Sequence, residues 1–114
     1  MNQEQLNKIL SKHNLWIDGG AEGIRADLSG ADLSGADLTG ANIDYACWPL
    51  WCGGLHVKTD RRIMAQLAYH FCAQDCDDPD YIKARNAIID FANTFHRVEE
   101  CGRLMPKLPD ESLW

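Results

Sequence analysis

A period of five residues governs the chain from Ala21 to Ala46. Alanine recurs at Ala21, Ala26, Ala31, Ala36, Ala41 and Ala46, and two places after each come Gly23, Leu28, Leu33, Leu38, Ile43 and Trp48. The clearest blocks read ADLSG, ADLSG, ADLTG and ANIDY. An amphipathic helix repeats about every 3.6 residues and a strand about every 2, so neither accommodates this spacing. A small residue and a large apolar one at fixed separation fit a solenoid, in which each repeat forms one side of a coil.

The stretch ADLSGADLSGADLTGANID resembles the pentapeptide-repeat family. The resemblance implies a short right-handed quadrilateral β-helix, with about four repeats to a turn. The central Leu and the Ala before it would face inward. Asp27, Asp32 and Asp37 would point outward beside Ser29, Ser34 and Thr39, with turns at Gly30, Gly35 and Gly40. Some members of that family line up carboxylates, mimic the charge of DNA and bind type II topoisomerases. Here consecutive aspartates fall on different sides of the square, and the blocks make only about one and a half turns. A stub of this length has little internal stacking, so the flanking segments must supply most of the core.

Residues 2–17 have helical spacing, with Leu6, Ile9, Leu10, His13, Trp16 and Ile17 on one face. Asn2 and Gln5 form a capping box, and Gly19–Gly20 ends the helix. After the repeats, CWPLWCGGLHVK reads as an aromatic loop over 49–58. A second helix is expected over about 60–74, with Ile63, Met64, Leu67, Ala68, Phe71 and Cys72 inward. Asp78 as N-cap and Pro79 at the first helical position open a third. It should run to about 95–98 and bury Ile82, Ile88, Ile89, Phe91, Ala92 and Phe95. The tail, 104–114, reads as extended and partly mobile. The expected architecture is therefore α+β and a single domain over 1–114: an N-terminal helix (1–18), a pentapeptide β-helix stub (19–48), the aromatic loop (49–58), a helical pair as C-terminal cap (59–103), and the tail.

The chain is 114 residues long with a net charge of −6. That balance disfavours general nucleic-acid binding, which relies on a basic surface. No apolar run reaches the roughly 18 residues of a membrane span. No signal peptide is visible, which places the chain in the cytoplasm of a bacterial host. The five cysteines are odd in number, argue against a disulfide framework and read mostly as buried small hydrophobes.

One cluster stands out as a candidate site. His56, Lys58, Arg61 and Arg62 gather about a helix N-terminus, where free N–H groups favour an anion. Trp48 or Trp51 could stack on a base, and His96 and Arg97 near a later helix end could contribute. The bland reading is ion pairing with acidic neighbours. Metal-ligand spacings of the C-x2-C kind are missing, and no catalytic motif is present. No cofactor, metal or catalytic residue is therefore assigned.

The W-P-L-W-C-G-G segment with a helical pair ending HRVEECG resembles small proteins of phages and prophages. The leading expectation is a non-catalytic, phage-encoded binding protein that antagonises a host protein. The alternative is a protein that sequesters a small phosphate-bearing ligand such as a nucleotide or cyclic-nucleotide signal. A DNA-mimic inhibitor is the second alternative. A homo-oligomer is expected, through the coil ends or through the Trp-rich loop and Trp114.

Overall fold

The computed structural model describes residues 1–107, and Trp114 with the rest of the tail beyond Lys107 lies outside that range. Contacts divide the chain into two compact units, one ending at Asp60 and the other beginning at Arg61.

In the first unit, α1 spans Gln3–Ile17. Its capping box is formed as the sequence suggests: Asn2 Oδ1 accepts the Gln5 N–H at 2.8 Å, and the Gln5 side chain accepts the Asn2 N–H at 3.0 Å. Leu6 and His13 are the fully buried residues of its inner face. Gly23 lies where α1 comes closest to the repeats. A Cβ there would sit 2.2 Å from the Trp16 backbone nitrogen, so only glycine fits.

The repeats do not form the expected β-helix stub. Among the described residues there is no strand and no sheet, only two isolated parallel bridges, Asp27 with Cys47 and Asp37 with Lys58. The α+β expectation is corrected accordingly: the regular secondary structure is helical, and the repeat is a series of turns. The reason is in the period. Leu28, Leu33, Leu38 and Ile43 each accept, through their carbonyls, the N–H of the alanine three residues on, at 2.8–3.0 Å. A turn therefore closes in every block, and too few residues remain between turns to extend a ladder.

The turn chemistry gives the aspartates a local task. Asp27 Oδ1 accepts both the N–H and the hydroxyl of Ser29, at 3.0 and 2.6 Å. Asp32 does the same with Ser34. Asp37 accepts the Thr39 N–H at 2.8 Å, and Asn42 accepts that of Asp44 at 3.0 Å. These are side-chain-to-backbone locks, the reason Asp and Asn favour turns. The leucines fill the interior: Leu28, Leu33 and Leu38 are buried, and Ile43 nearly so.

In the second unit, α2 spans Arg61–Cys72 and packs on α3, Pro79–Ala92, which is capped by Asp78 with Pro79 in its first turn as expected. A short α4, Val98–Cys101, follows. The helical pair is thus present with other limits and other faces. Met64, Phe71 and Ile88, expected inside, are exposed, while Ala65, Gln66, Tyr69 and Arg85 are buried. α3 ends at Ala92 with Asn93 as its cap, and beyond it the Thr94 and Phe95 N–H groups bond only three residues back, to Phe91 O and Ala92 O, each at 3.0 Å. Tyr69, Cys72, Ala92 and Phe95 form a core cluster, with the Tyr69 and Phe95 rings 4.8 Å apart.

Candidate functional site

The loop from Cys47 to Lys58 is the most unusual surface of the first unit. Apolar side chains stand outward on it: Leu50 is 94% exposed, Leu55 54% and Trp51 49%. Exposed leucines are ordinary on mobile loops, but this backbone is bonded to the repeat at Cys47, Gly53, His56 and Lys58. Cys47 N–H donates to Ala26 O at 3.2 Å, and Cys47 O accepts from Leu28 N–H at 3.0 Å. Gly53 O accepts from Leu33 N–H at 2.7 Å, and His56 O accepts from Gly35 N–H at 2.9 Å. Lys58 exchanges bonds with Ala36 O and Leu38 N–H, at 2.9 and 2.8 Å. The main-chain groups left over by the turns of the repeat are thus satisfied by the loop.

Side chains complete the anchoring. Trp51 Nε1 donates to Ala31 O at 3.2 Å, which holds the indole over the 3-10 turn Cys52–Gly54. A Cβ on Gly53 would lie 2.4 Å from that ring and 2.6 Å from Ala31 O. One on Gly54 would lie 2.1 Å from Pro49 O. The pair of glycines is required by close approach, and Pro49 is fully buried beneath them. His56 adopts a left-handed backbone, φ +61°, a conformation that costs a non-glycine residue about 1 kcal/mol and persists only where neighbours enforce it.

The eight residues suggested by the sequence divide between the units. Trp48, Trp51, His56 and Lys58 all lie on this loop. Trp48 is half-buried, and its Nε1 lies 3.2 Å from where a Gly54 Cβ would stand. Trp51 is committed to the repeat, and His56 and Lys58 are exposed. In the second unit, Arg61 lies over the Phe91 ring at 5.0 Å and Arg62 is exposed. His96 meets Phe95 edge-on at 5.0 Å, and Arg97 bonds Glu100 at 2.7 Å. Asp60, just before α2, accepts the Gly40 N–H at 2.6 Å. The sequence reading missed Leu50 and Leu55. Their signal was the placement of two leucines between glycine, proline and tryptophan, outside any periodic face.

A second feature involves cations that the sequence did not single out. A groove of about 370 Å³ runs beside α1, lined by Lys8, Lys12 and Arg25 around Ile9 and Ile24, with Asp27 at its edge. Arg25 also stands over the Trp16 ring at 5.8 Å.

The cysteines differ from expectation. All five are free thiols, and Cys47, Cys52, Cys76 and Cys101 are exposed; only Cys72 is buried, and burial raises its pKa above the usual thiol value. No helix among the described residues is long and apolar enough to cross a membrane.

Against known proteins, residues 24–47 match the family model described as pentapeptide repeats (8 copies), about a fifth of the chain. No curated protein and no solved structure matches the chain. The match ends where the aromatic loop begins.

Proposed function

We propose that the protein is a non-catalytic binding protein that docks a protein partner on the loop Cys47–Lys58. The observation that carries this reading is Leu50, almost wholly exposed on a backbone held at both flanks by the repeat. Keeping a large apolar side chain in water costs about 1.5–3 kcal/mol relative to burying it, and a fixed loop loses little entropy on binding. Apolar anchors on a rigid base suit a protein hot spot. The net charge of −6 favours a partner with a basic rim. In the finer form of this reading, the chain is phage-encoded, works in the bacterial cytoplasm and blocks a host protein. Its support is the resemblance of the aromatic loop and helices to small phage proteins.

The test is comparative capture from bacterial lysate by the wild-type chain and by Leu50→Asp. The expected result is a defined partner retained by the wild type and lost by the variant, with the two melting at the same temperature. Equal retention by both chains would remove the loop from the account.

The groove at Lys8, Lys12 and Arg25 favours a second reading, a small phosphate-bearing ligand. Ligand at about 100 times its Kd would stabilise the fold by about 2.7 kcal/mol. A nucleotide panel should then raise the melting temperature of the wild type and leave the Lys8→Ala/Lys12→Ala variant unmoved. No shift with any nucleotide counts against this reading.

A further inference from the structure

Three cations converge on one groove of the first unit. Lys8 and Lys12 of α1 line it together with Arg25, around Ile9 and Ile24, in a volume of about 370 Å³. Among the described residues, none of the three is held in an ion pair. The chain carries 17 acidic residues and a net charge of −6, so partners of opposite sign are plentiful. Two lysines four apart on a helix repel one another, and this local positive charge is therefore kept against its own repulsion. The apolar floor strengthens the attraction of such charges for an anion. The groove is at the small end of ligand clefts, which span about 300–1,000 Å³, and suits one small molecule.

An exposed aromatic ledge adjoins the groove through Arg25, whose guanidinium lies 5.8 Å from the centre of the Trp16 ring. The Tyr45 ring meets that indole edge-to-face, also at 5.8 Å between centroids. Trp16 is 37% exposed and Tyr45 57%. Tyr45 takes the fifth place of its block, where Gly35 and Gly40 stand in the two blocks before it. Those glycines have φ +79°, and Tyr45 keeps the same left-handed backbone at φ +68°. A Cβ is disfavoured there, and a ring more than half in water gains too little burial to require it. Glycine would serve the turn. Residues held in such a conformation cluster at ligand sites, where the side chain has a use that the fold does not.

We propose that a single aromatic nucleotide binds across this face, its phosphate in the groove of Lys8, Lys12 and Arg25 and its nucleobase against the rings of Trp16 and Tyr45; this rests on the phosphate-ligand reading of the groove given above. The two parts divide the recognition. The lysines act as point charges, and the guanidinium matches two phosphate oxygens at once. The rings take the flat face of the nucleobase, and stacking of this kind serves any base. Arg25 joins the parts, since it lines the groove and also stands over the indole. A bare phosphate leaves the rings unused, and a nucleoside leaves three cations without a counter-charge.

Titration calorimetry on the full chain tests the proposal with three probes that share one phosphate: adenosine monophosphate, inorganic phosphate and hexyl phosphate. Adenosine monophosphate should bind about tenfold or more tighter than either of the others. Tyr45→Gly should lose about tenfold in affinity for adenosine monophosphate, leave inorganic phosphate unchanged and melt no lower than the wild type, because glycine suits the backbone there. Lys8→Ala/Lys12→Ala should weaken all three probes together. Equal affinity for adenosine monophosphate and inorganic phosphate would overturn the proposal and leave the groove standing as an anion site. Hexyl phosphate binding as tightly as the nucleotide, or a Tyr45→Gly chain that binds the nucleotide as the wild type does, would overturn it too. No binding of any probe would remove the groove reading and the proposal with it.

Discussion

Gly30, Gly35 and Gly40 stand at the same place in three consecutive repeats, yet only Gly35 and Gly40 have a left-handed backbone, φ +79°. A Cβ on any of the three would meet open space, so the backbone alone separates them. Gly35→Ala and Gly40→Ala should each destabilise the protein by about 1–2 kcal/mol, while Gly30→Ala should be neutral or stabilise it by up to about 1 kcal/mol through the unfolded chain. Urea denaturation of the three variants checks the contrast; equal losses would contradict it. The aspartates give a second residue-scale expectation. The Ser29 hydroxyl and N–H hold the Asp27 carboxyl below its ordinary value of 3.8, and Ser34 and Thr39 do the same for Asp32 and Asp37. Because the folded values are depressed, the stabilisation is present above about pH 4 and is lost as pH falls through those lower values. In an NMR titration, Ser29→Ala should raise the Asp27 midpoint toward the ordinary value and leave Asp37 in place; an unmoved Asp27 would show that the lock contributes nothing. The letters of the repeats made the glycines equivalent and the aspartates merely outward. Their difference lies in dihedral angles and hydroxyl directions, which identical blocks do not encode separately.

At the scale of elements, α1 is attached to the repeat by side chains that bond to main chain. Gln3 pairs with both peptide groups of Asp37, at 2.9 Å each. His13 is fully buried, with Nε2 2.8 Å from Asp44 O and Nδ1 accepting the Ala26 N–H at 3.0 Å. The ring is therefore the Nε2–H tautomer, the arrangement that satisfies both partners. His13→Ala leaves a buried donor and a buried acceptor unpaired and opens a cavity, a loss of about 3 kcal/mol. A chemical denaturation midpoint measures it, and a loss under about 1 kcal/mol would mean that α1 is held by other contacts. The helical period put Trp16 on the inner face of α1, where the structure leaves it exposed, and put His13 there correctly. It could not show what the ring bonds, since Ala26 and Asp44 are distant in sequence. On α2 and α3 the same reasoning placed too much weight on hydrophobicity. Arg85 occupies an inner position of α3 because Cys72 O and Met105 O receive its donors, while Met64 and Ile88 face outward. The absent strands have a similar origin: a turn closing every fifth residue overrides the extended conformation that the solenoid resemblance led one to expect.

For the molecule as a whole, each unit is organised by groups that satisfy main chain across long sequence separations. The loop Cys47–Lys58 was legible as a place of interest from its tryptophans, proline and paired glycines. Its partner in the fold was not, because the repeat bonds it through backbone groups that carry no residue signature. The basic cluster was legible as charge alone; contacts such as Arg61 over Phe91 depend on the packing of α2 and α3. The repeat holds the exposed apolar loop in one conformation through main-chain bonds. Amide hydrogen exchange on the full chain measures how firmly. The N–H groups of Leu33, Gly35, Leu38, Cys47 and Lys58, all bonded between repeat and loop, should exchange together and about 100-fold or more slower than a free chain, as bonded amides in a cooperative unit do. Exchange of these amides at free-chain rates, with α1 still protected, would show the loop to be unanchored and would contradict the account.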